Sequence, residues 1–515
     1  MNASEIKRRA RSLILGVVLA FSLPPPNFVR AKEAIGVAVD WTQVIATSQT
    51  APSVLAVGVP LLRHESPFRA AAFGALRTLA ARKSRYIFFN EYPRLAVAEL
   101  EPPSRNATSW DFSLIDPEMN SFLEATKGLE PVVVFDAIPA WMFNSKDLIA
   151  YPINPDEQFW SFRAQGTRLL DQSGRQVAQY FARIVSWYTR GGFTDENGVY
   201  HRSGHHYDLP WWGVLYEPDF FYGLNPEQYT LLYDRIVGAI RKVSPTTKFV
   251  GLSLSAPGSS NPAFFEYFLN PKHHRTGIPL DRIAYHFYVY PSLGQNIEAW
   301  QYTFFDRADG FLEKVHYIDA IRKRLSPATS VSVEDIASML PEDTSAAYGG
   351  PPMHSSAPDA YWNLSAALYA YLYAGLATAD VDSAGQAQLV AYPNNYPSTT
   401  LLNWDTGAPN SRFRVLQLIQ AHLGPGDKVV STALTTVVPL SQDVAVQGFV
   451  TPKGKRLLII NKRNWSTSID LTKIGRIDRI EVVDEESGGQ PPRTELLDSP
   501  ILPMAPFAVA VVTVY

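Results

Sequence analysis

Between about residue 53 and residue 425, short apolar runs alternate with longer amphipathic stretches. No other feature of the chain limits its fold so strongly. A run too short for a helix followed by a helical period implies a parallel strand and its crossover helix. The strands are expected near Leu55–Leu61, Tyr86–Phe89, Pro131–Phe135, Trp212–Tyr216, Phe249–Leu254, Ile283–Phe287, Ser330–Glu334 and Gln388–Tyr392. The helices are expected near Phe68–Ala81, Pro117–Thr126, Arg175–Tyr188, Pro226–Val243, Ala263–Leu269, Asp309–Leu325, Tyr361–Thr378 and Ser411–His422. Eight repeats of this kind suit an α/β fold, a (β/α)8 TIM barrel with loop insertions.

After Gly424-Pro425-Gly426 the pattern changes. Val429–Leu440, Val444–Thr451, Arg456–Asn461, Ile480–Val483 and Ala508–Tyr515 alternate as strands between turn residues, and no amphipathic helix intervenes. This predicts a smaller β-sandwich domain over 426–515. The segment 32–52 contains a strand-like run, Ala34–Ile45, expected to join that sandwich.

The first 31 residues read differently. Lys7, Arg8, Arg9 and Arg11 precede an apolar run from Leu13 to Leu23, which Pro24-Pro25-Pro26 closes. Val29 and Ala31 suit the small positions of a cleavage site, so a signal peptide cut after Ala31 is expected, with secretion as its consequence. The run is too short for a typical membrane span. An uncleaved signal anchor is the one membrane contact this pattern allows.

Composition excludes several chemistries. The chain has no cysteine, hence no disulfide, thiolate metal site or cysteine nucleophile. A formal charge of −3 without a basic stripe gives no nucleic-acid footprint. There is no G-x-S-x-G nucleophile elbow and no dinucleotide-binding glycine pattern after a strand. His201, His205 and His206 cluster without a carboxylate at ligand spacing, and are read as a solvated loop rather than a metal site. No cofactor is called for.

Two strand ends carry acids. In Trp212-Gly213-Val214-Leu215-Tyr216-Glu217-Pro218-Asp219, Pro218 cannot donate to a ladder and stops the strand just after Glu217. In a parallel barrel that end is the catalytic mouth. Burial among aromatics raises a carboxyl's pKa, as a general acid requires. The second end, Val331-Ser332-Val333-Glu334-Asp335, follows 117 residues after Glu217. Strict period two puts Ser332 and Glu334 on one face and the valines with Asp335 on the other. If the valines face the helices, Glu334 points into the mouth. Two carboxylates from separate strands are the minimum apparatus for cutting a glycosidic bond. His286 and Tyr288 end another strand and could hydrogen-bond a carboxylate or a sugar hydroxyl. Trp141 and Trp404 follow strands three and eight and could floor a sugar subsite.

Taken together, these strand ends resemble those of clan A glycoside hydrolases, and within them family 39, the β-xylosidases and α-L-iduronidases. The likeness runs from about Val54 to Leu423 and is carried by Leu95–Leu100, Ser109–Ser113, Gly213–Asp219, Phe264–Asn270, Ala284–Tyr288 and Trp300–Phe305. It implies a retaining double displacement on a saccharide or glycoside substrate. The acid/base falls on Glu217, and the nucleophile on Glu334 or Asp335. Two positions depart from the pattern. The clan's asparagine before the acid/base is Tyr216 here. The family's apolar residue after the nucleophile aligns Ile336 with Asp335, whereas periodicity favours Glu334. These departures feed an alternative: a catalytically degenerate barrel that binds carbohydrate or has a surface role.

Overall fold

The computed structural model describes residues 34–515, apart from 64, 97, 101–107, 145–151, 158–167, 257, 293, 342, 344–356, 392–395 and 436–441. The basic and apolar start of the chain, with its expected cleavage site, lies outside the described residues.

Eight parallel strands close into a barrel. In chain order they are Ala51–Val57, Arg85–Phe88, Val132–Phe135, Trp211–Gly213, Lys248–Leu254, Arg282–Val289, Ser330–Ser338 and Ser383–Gln386. They are numbered one to eight below. Their apolar runs are buried on both faces, because the barrel interior lies on one side and the helices on the other. The helices carry the start signals their sequences suggest. Asn225 caps Pro226–Val243 in a reciprocal box with Gln228, and Asn410 accepts from the amides of Arg412 and Phe413 at the start of Ser411–His422.

Three expectations shift. Strand one runs Ala51–Val57 rather than Leu55–Leu61, because Pro60 starts a short 3-10 turn at Pro60–Leu62. Strand eight is Ser383–Gln386, not Gln388–Tyr392. The apolar residues that suggested the later position are buried without joining the ladder regularly: Leu389 N–H donates to Leu55 O at 2.7 Å, and Leu402 N–H to Leu389 O at 3.1 Å. The helix after strand six begins twelve residues earlier than expected, as one element Ile297–Leu325 capped by Asn296.

The β-rich region forms a nine-stranded, mostly antiparallel sheet that folds over its own core. Ile35–Thr47 lies inside it, antiparallel to Lys428–Leu434, with Val37 opposite Leu434. Strand Gly454–Asn461 is buried on both faces. Leu457 and Ile459 face the sandwich core, while Leu458 and Ile460 pack with the barrel's hydrophobic core. Barrel and sandwich thus share one compact unit. Among the described residues no helix is long and apolar enough to cross a membrane.

Candidate active site

Strand four ends at Gly213, and the chain then leaves the barrel by a strained path. Leu215 and Glu217 both adopt left-handed backbone, with φ of 64° and 42°. Leu252 and Ser253, on the adjoining strand five, do the same at 67° and 45°. Each such residue costs on the order of 1–3 kcal/mol and persists only where surroundings enforce it. Here the enforcement is visible. Glu217 N–H donates to Ser253 O at 3.0 Å, and Tyr216 N–H to Asp136 Oδ1 at 3.1 Å. Pro218 then opens the short helix Pro218–Phe221, with Glu217 as its cap residue.

Strand seven answers the question of facing. Val333 pairs with Tyr285 and Ile336 with Phe287, so Glu334 and Asp335 together oppose one residue, His286. This is a β-bulge, the device that re-aims side chains beside functional sites. It suspends period two at this point. Both Glu334 and Asp335 reach the guanidinium of Arg85, each through its own nitrogen. The displaced backbone also crowds strand eight. A Cβ at Gly385 would lie 2.3 Å from Glu334 O, so only glycine fits there.

The two acids have different company. Glu334 is held by Arg85 and by Ser253, whose Oγ lies 3.4 Å away. Asp335 Oδ2 accepts from Tyr216 OH and Tyr288 OH, both at 2.8 Å. His286 Nδ1 stands 2.7 Å from Glu217 Oε1 and 3.7 Å from Asp335 Oδ2. Tyr216, Glu217, His286, Tyr288, Glu334 and Asp335 are thus brought into one network. Trp141 and Trp404 are not. Trp141 sits half-buried on the 3-10 turn Ala140–Met142, packed against the barrel core, and Trp404 lies in a turn whose amides are gathered by Asn403 Oδ1.

The electrostatics separate the carboxyls. Burial raises the Glu217 pKa above the ordinary carboxylate value; the His286 contact opposes this, while Asp335 and Asp219 add to it. Burial would raise Asp335 too. The Arg85 charge first, then His286 and the two tyrosine hydroxyls, outweigh burial and hold it below the usual range. For His286, burial disfavours the cation, yet Asp335 and Glu217 prevail and its pKa rises. The two shifts run apart: the surroundings bias Glu217 toward holding a proton and Asp335 toward the anion.

Three contributors were not singled out from sequence. Arg85 opens strand two and looks like a solvated residue before an apolar run. Ser253 looks like ordinary strand punctuation. Asp136 did leave a signal, since it directly follows Pro131–Phe135 just as Glu217 follows its own run. It is fully buried, its pKa is pushed well up by desolvation, and it anchors the backbone of Tyr216.

Above this network opens a cavity of about 710 Å3. Tyr216, Glu217, His286 and Tyr288 line it, together with the apolar rings of Phe89, Phe220, Phe287 and Phe311. Trp141 and Trp404 stand outside its lining. The histidine group lies elsewhere, on a small hairpin. His201 Nε2 is 2.8 Å from Asp195 Oδ2, and the His205 ring stacks on Tyr188 at 5.6 Å. Among the described residues no cluster of histidine and carboxylate side chains could hold a metal ion.

No protein-family model matches the chain, and no curated protein matches it by sequence. Solved structures do. An α-L-arabinofuranosidase from Thermotoga maritima superposes with a TM-score of 0.59 at 14% identity, covering 93% of this chain and 100% of the other. A family 51 α-L-arabinofuranosidase from Bifidobacterium longum gives 0.61 at 12%, covering 93% and 99%. A family 30 endoxylanase from Clostridium papyrosolvens gives 0.51 at 13%, covering 93% and 99%. At such identities the likeness is one of fold, and it spans both the barrel and the sandwich. It reaches clan A glycoside hydrolases of families 51 and 30 and does not single out family 39.

Proposed function

We propose that this chain is a glycoside hydrolase acting by a retaining double displacement, with Glu217 as general acid/base and Asp335 as nucleophile. One observation carries the reading. Two carboxyls from strands four and seven meet at a single imidazole nitrogen, one with its pKa pushed up and the other with it held down. That divergence is how one site runs acid and base chemistry together. Their nearest oxygens are no further apart than the two contacts laid end to end, about 6.4 Å. The retaining course, which works at ~5–5.5 Å between carboxyl groups, is part of the proposal.

The assignment prefers Asp335 to Glu334, against strand periodicity. Glu334 is engaged by Arg85 and Ser253, while Asp335 is the acid that shares His286 with Glu217. In the first step Glu217 gives its proton to the glycosidic oxygen as Asp335 attacks the anomeric carbon. In the second, ionised Glu217 draws a proton from water as that water displaces Asp335. Tyr216 and Tyr288 hold the attacking carboxylate, and Arg85 keeps it charged. Secretion through the basic and apolar leader is part of the proposal.

A second reading has its own support. Asp335 is 0% exposed and lies beneath the hydroxyls of Tyr216 and Tyr288. A carboxylate so covered suits a barrel that holds carbohydrate without cutting it. Turnover on a panel of aryl glycosides decides between the two. Glu217→Gln should lower hydrolysis by about 10²–10⁴-fold, the worth of a positioned general acid. Asp335→Asn should abolish it, and Glu334→Gln should leave a measurable remainder. No turnover of any activated glycoside, with saccharide binding intact, would select the binding barrel.

A further inference from the structure

One wall of the mouth cavity is a single helix face. Arg307, Gly310, Phe311 and Lys314 line it from Ile297–Leu325, at the spacing that brings residues onto one side. Two of these four carry positive charge, and the catalytic network uses neither.

Lys314 is half-buried, and burial alone lowers its pKa. Its Nζ donates to Ser260 Oγ at 2.8 Å and lies 3.4 Å from Ser259 Oγ. Both partners are neutral hydroxyls. Arg307 is exposed, with its guanidinium 5.6 Å from the centre of the Tyr290 ring, which also lines the cavity. Among the described residues no carboxylate pairs with either cation. The nearby acid after strand four, Asp219, is occupied, accepting from Ser255 N–H at 3.1 Å and Ser255 Oγ at 2.5 Å. Holding a half-buried ammonium against hydroxyls alone is unfavourable unless a ligand anion completes it. The open space at Gly310, where a Cβ would touch nothing within 4 Å, leaves the face between the two cations unobstructed.

We propose that Arg307 and Lys314 select an acidic saccharide, one bearing negative groups on two different sugar units. Seven helical residues set their backbones about 10 Å apart along the axis, a spacing that suits anionic groups on two successive sugar units. The inference rests on the reading of the mouth as a saccharide site. It adds that the preferred ligand is an acidic chain rather than a neutral one. Carboxylate and sulfate share the required chemistry.

The test measures binding to the full chain in a Glu217→Gln background, so that turnover does not consume the probe. The probes are hexagalacturonate, sulfated xylohexaose and neutral xylohexaose, titrated by calorimetry at low and physiological salt. An acidic hexamer should bind about tenfold or more tighter than the neutral one, and added salt should erode the advantage. Arg307→Gln and Lys314→Gln should each remove part of that preference and the double variant all of it, with thermal midpoints unchanged. The better of the two acidic probes identifies the anion. Equal binding of neutral and acidic hexamers, a preference that survives the double variant, or no binding of either acidic probe would overturn the proposal. Hydrolysis of neutral aryl glycosides without acidic preference sinks this inference alone. Acidic preference lost in the double variant, with no turnover by the parent chain, sinks the hydrolase reading alone.

Discussion

The two ends of the barrel both bury ions, and they balance them in opposite senses. At the base, Lys83 and Arg282 share one acid, Asp382; Lys83 Nζ lies 2.7 Å from it, and the Arg282 guanidinium also stacks 3.8 Å from the centre of the Trp211 ring. At the mouth, one guanidinium, Arg85, serves two acids, with Glu217 close by through His286. Within the base cluster two cations share one acid against the Trp211 ring. The mouth has carboxylates in excess beneath a cavity. On the proposed function, that surplus of acid is what a developing positive charge on a sugar ring would use. On the same proposal, the difference separates a stabilising ion cluster from a working one, although both are buried pairs.

The strongest way to break this contrast is Arg85→Met. It strands two buried carboxylates, and removing one partner of a buried pair costs about 3–5 kcal/mol. Urea unfolding should report a loss of that size; a loss below about 1 kcal/mol would mean that the mouth is not held by charge. Next in size is Tyr288→Phe. Losing one donor to Asp335 should slow hydrolysis on the order of 10²-fold. It should also move the acid limb of the pH–rate profile upward, since Asp335 must be ionised and would lose a contact that holds its pKa down. At the base, Asp382→Asn should cost less, about 1–3 kcal/mol: it leaves the buried Arg282 without this acid, but the acid is 21% exposed and solvent takes up part of the charge. Hydrolysis should continue; a loss of rate there would erase the distinction between the ends. The smallest effect is on pH-dependent stability. The folded pKa of Asp335 lies below its ordinary value of 3.8, so its contribution is complete above that value and fades as pH falls through the folded pKa. The stability gap between the parent chain and Asp335→Asn should therefore narrow below pH ~4.

Much of this was legible in the residues. Apolar runs that strands bury on both faces read clearly, as at Val132–Phe135 and Lys248–Leu254. Helix starts read well where a side chain caps them, as at Asn225. Strand eight misled because its own residues, Ser383-Ala384-Gly385-Gln386, are small or polar, while Leu389 and Val390 are apolar yet buried outside the regular ladder. The choice between Glu334 and Asp335 set period two against the family register, and a bulge removes that period without leaving a mark in the local sequence. Arg85 could not be found from its neighbours, because its partners lie 249 and 250 positions away. Asp136 could have been, by the same strand-end argument that found Glu217.

The strand Ile35–Thr47 has a consequence for how the molecule is made. Val37 finds its partner, Leu434, almost four hundred residues later in the chain. At a synthesis rate of ~5–20 residues per second, the ribosome needs about 20–80 s to reach that partner. Throughout that interval the strand is an unpaired edge attached to a growing barrel, which invites association with other chains. The sheet that finally receives it also presses Leu458 and Ile460 onto the barrel core. A segment made some four hundred residues later therefore closes this strand, and a chain halted before residue 428 would carry a sticky unpaired edge.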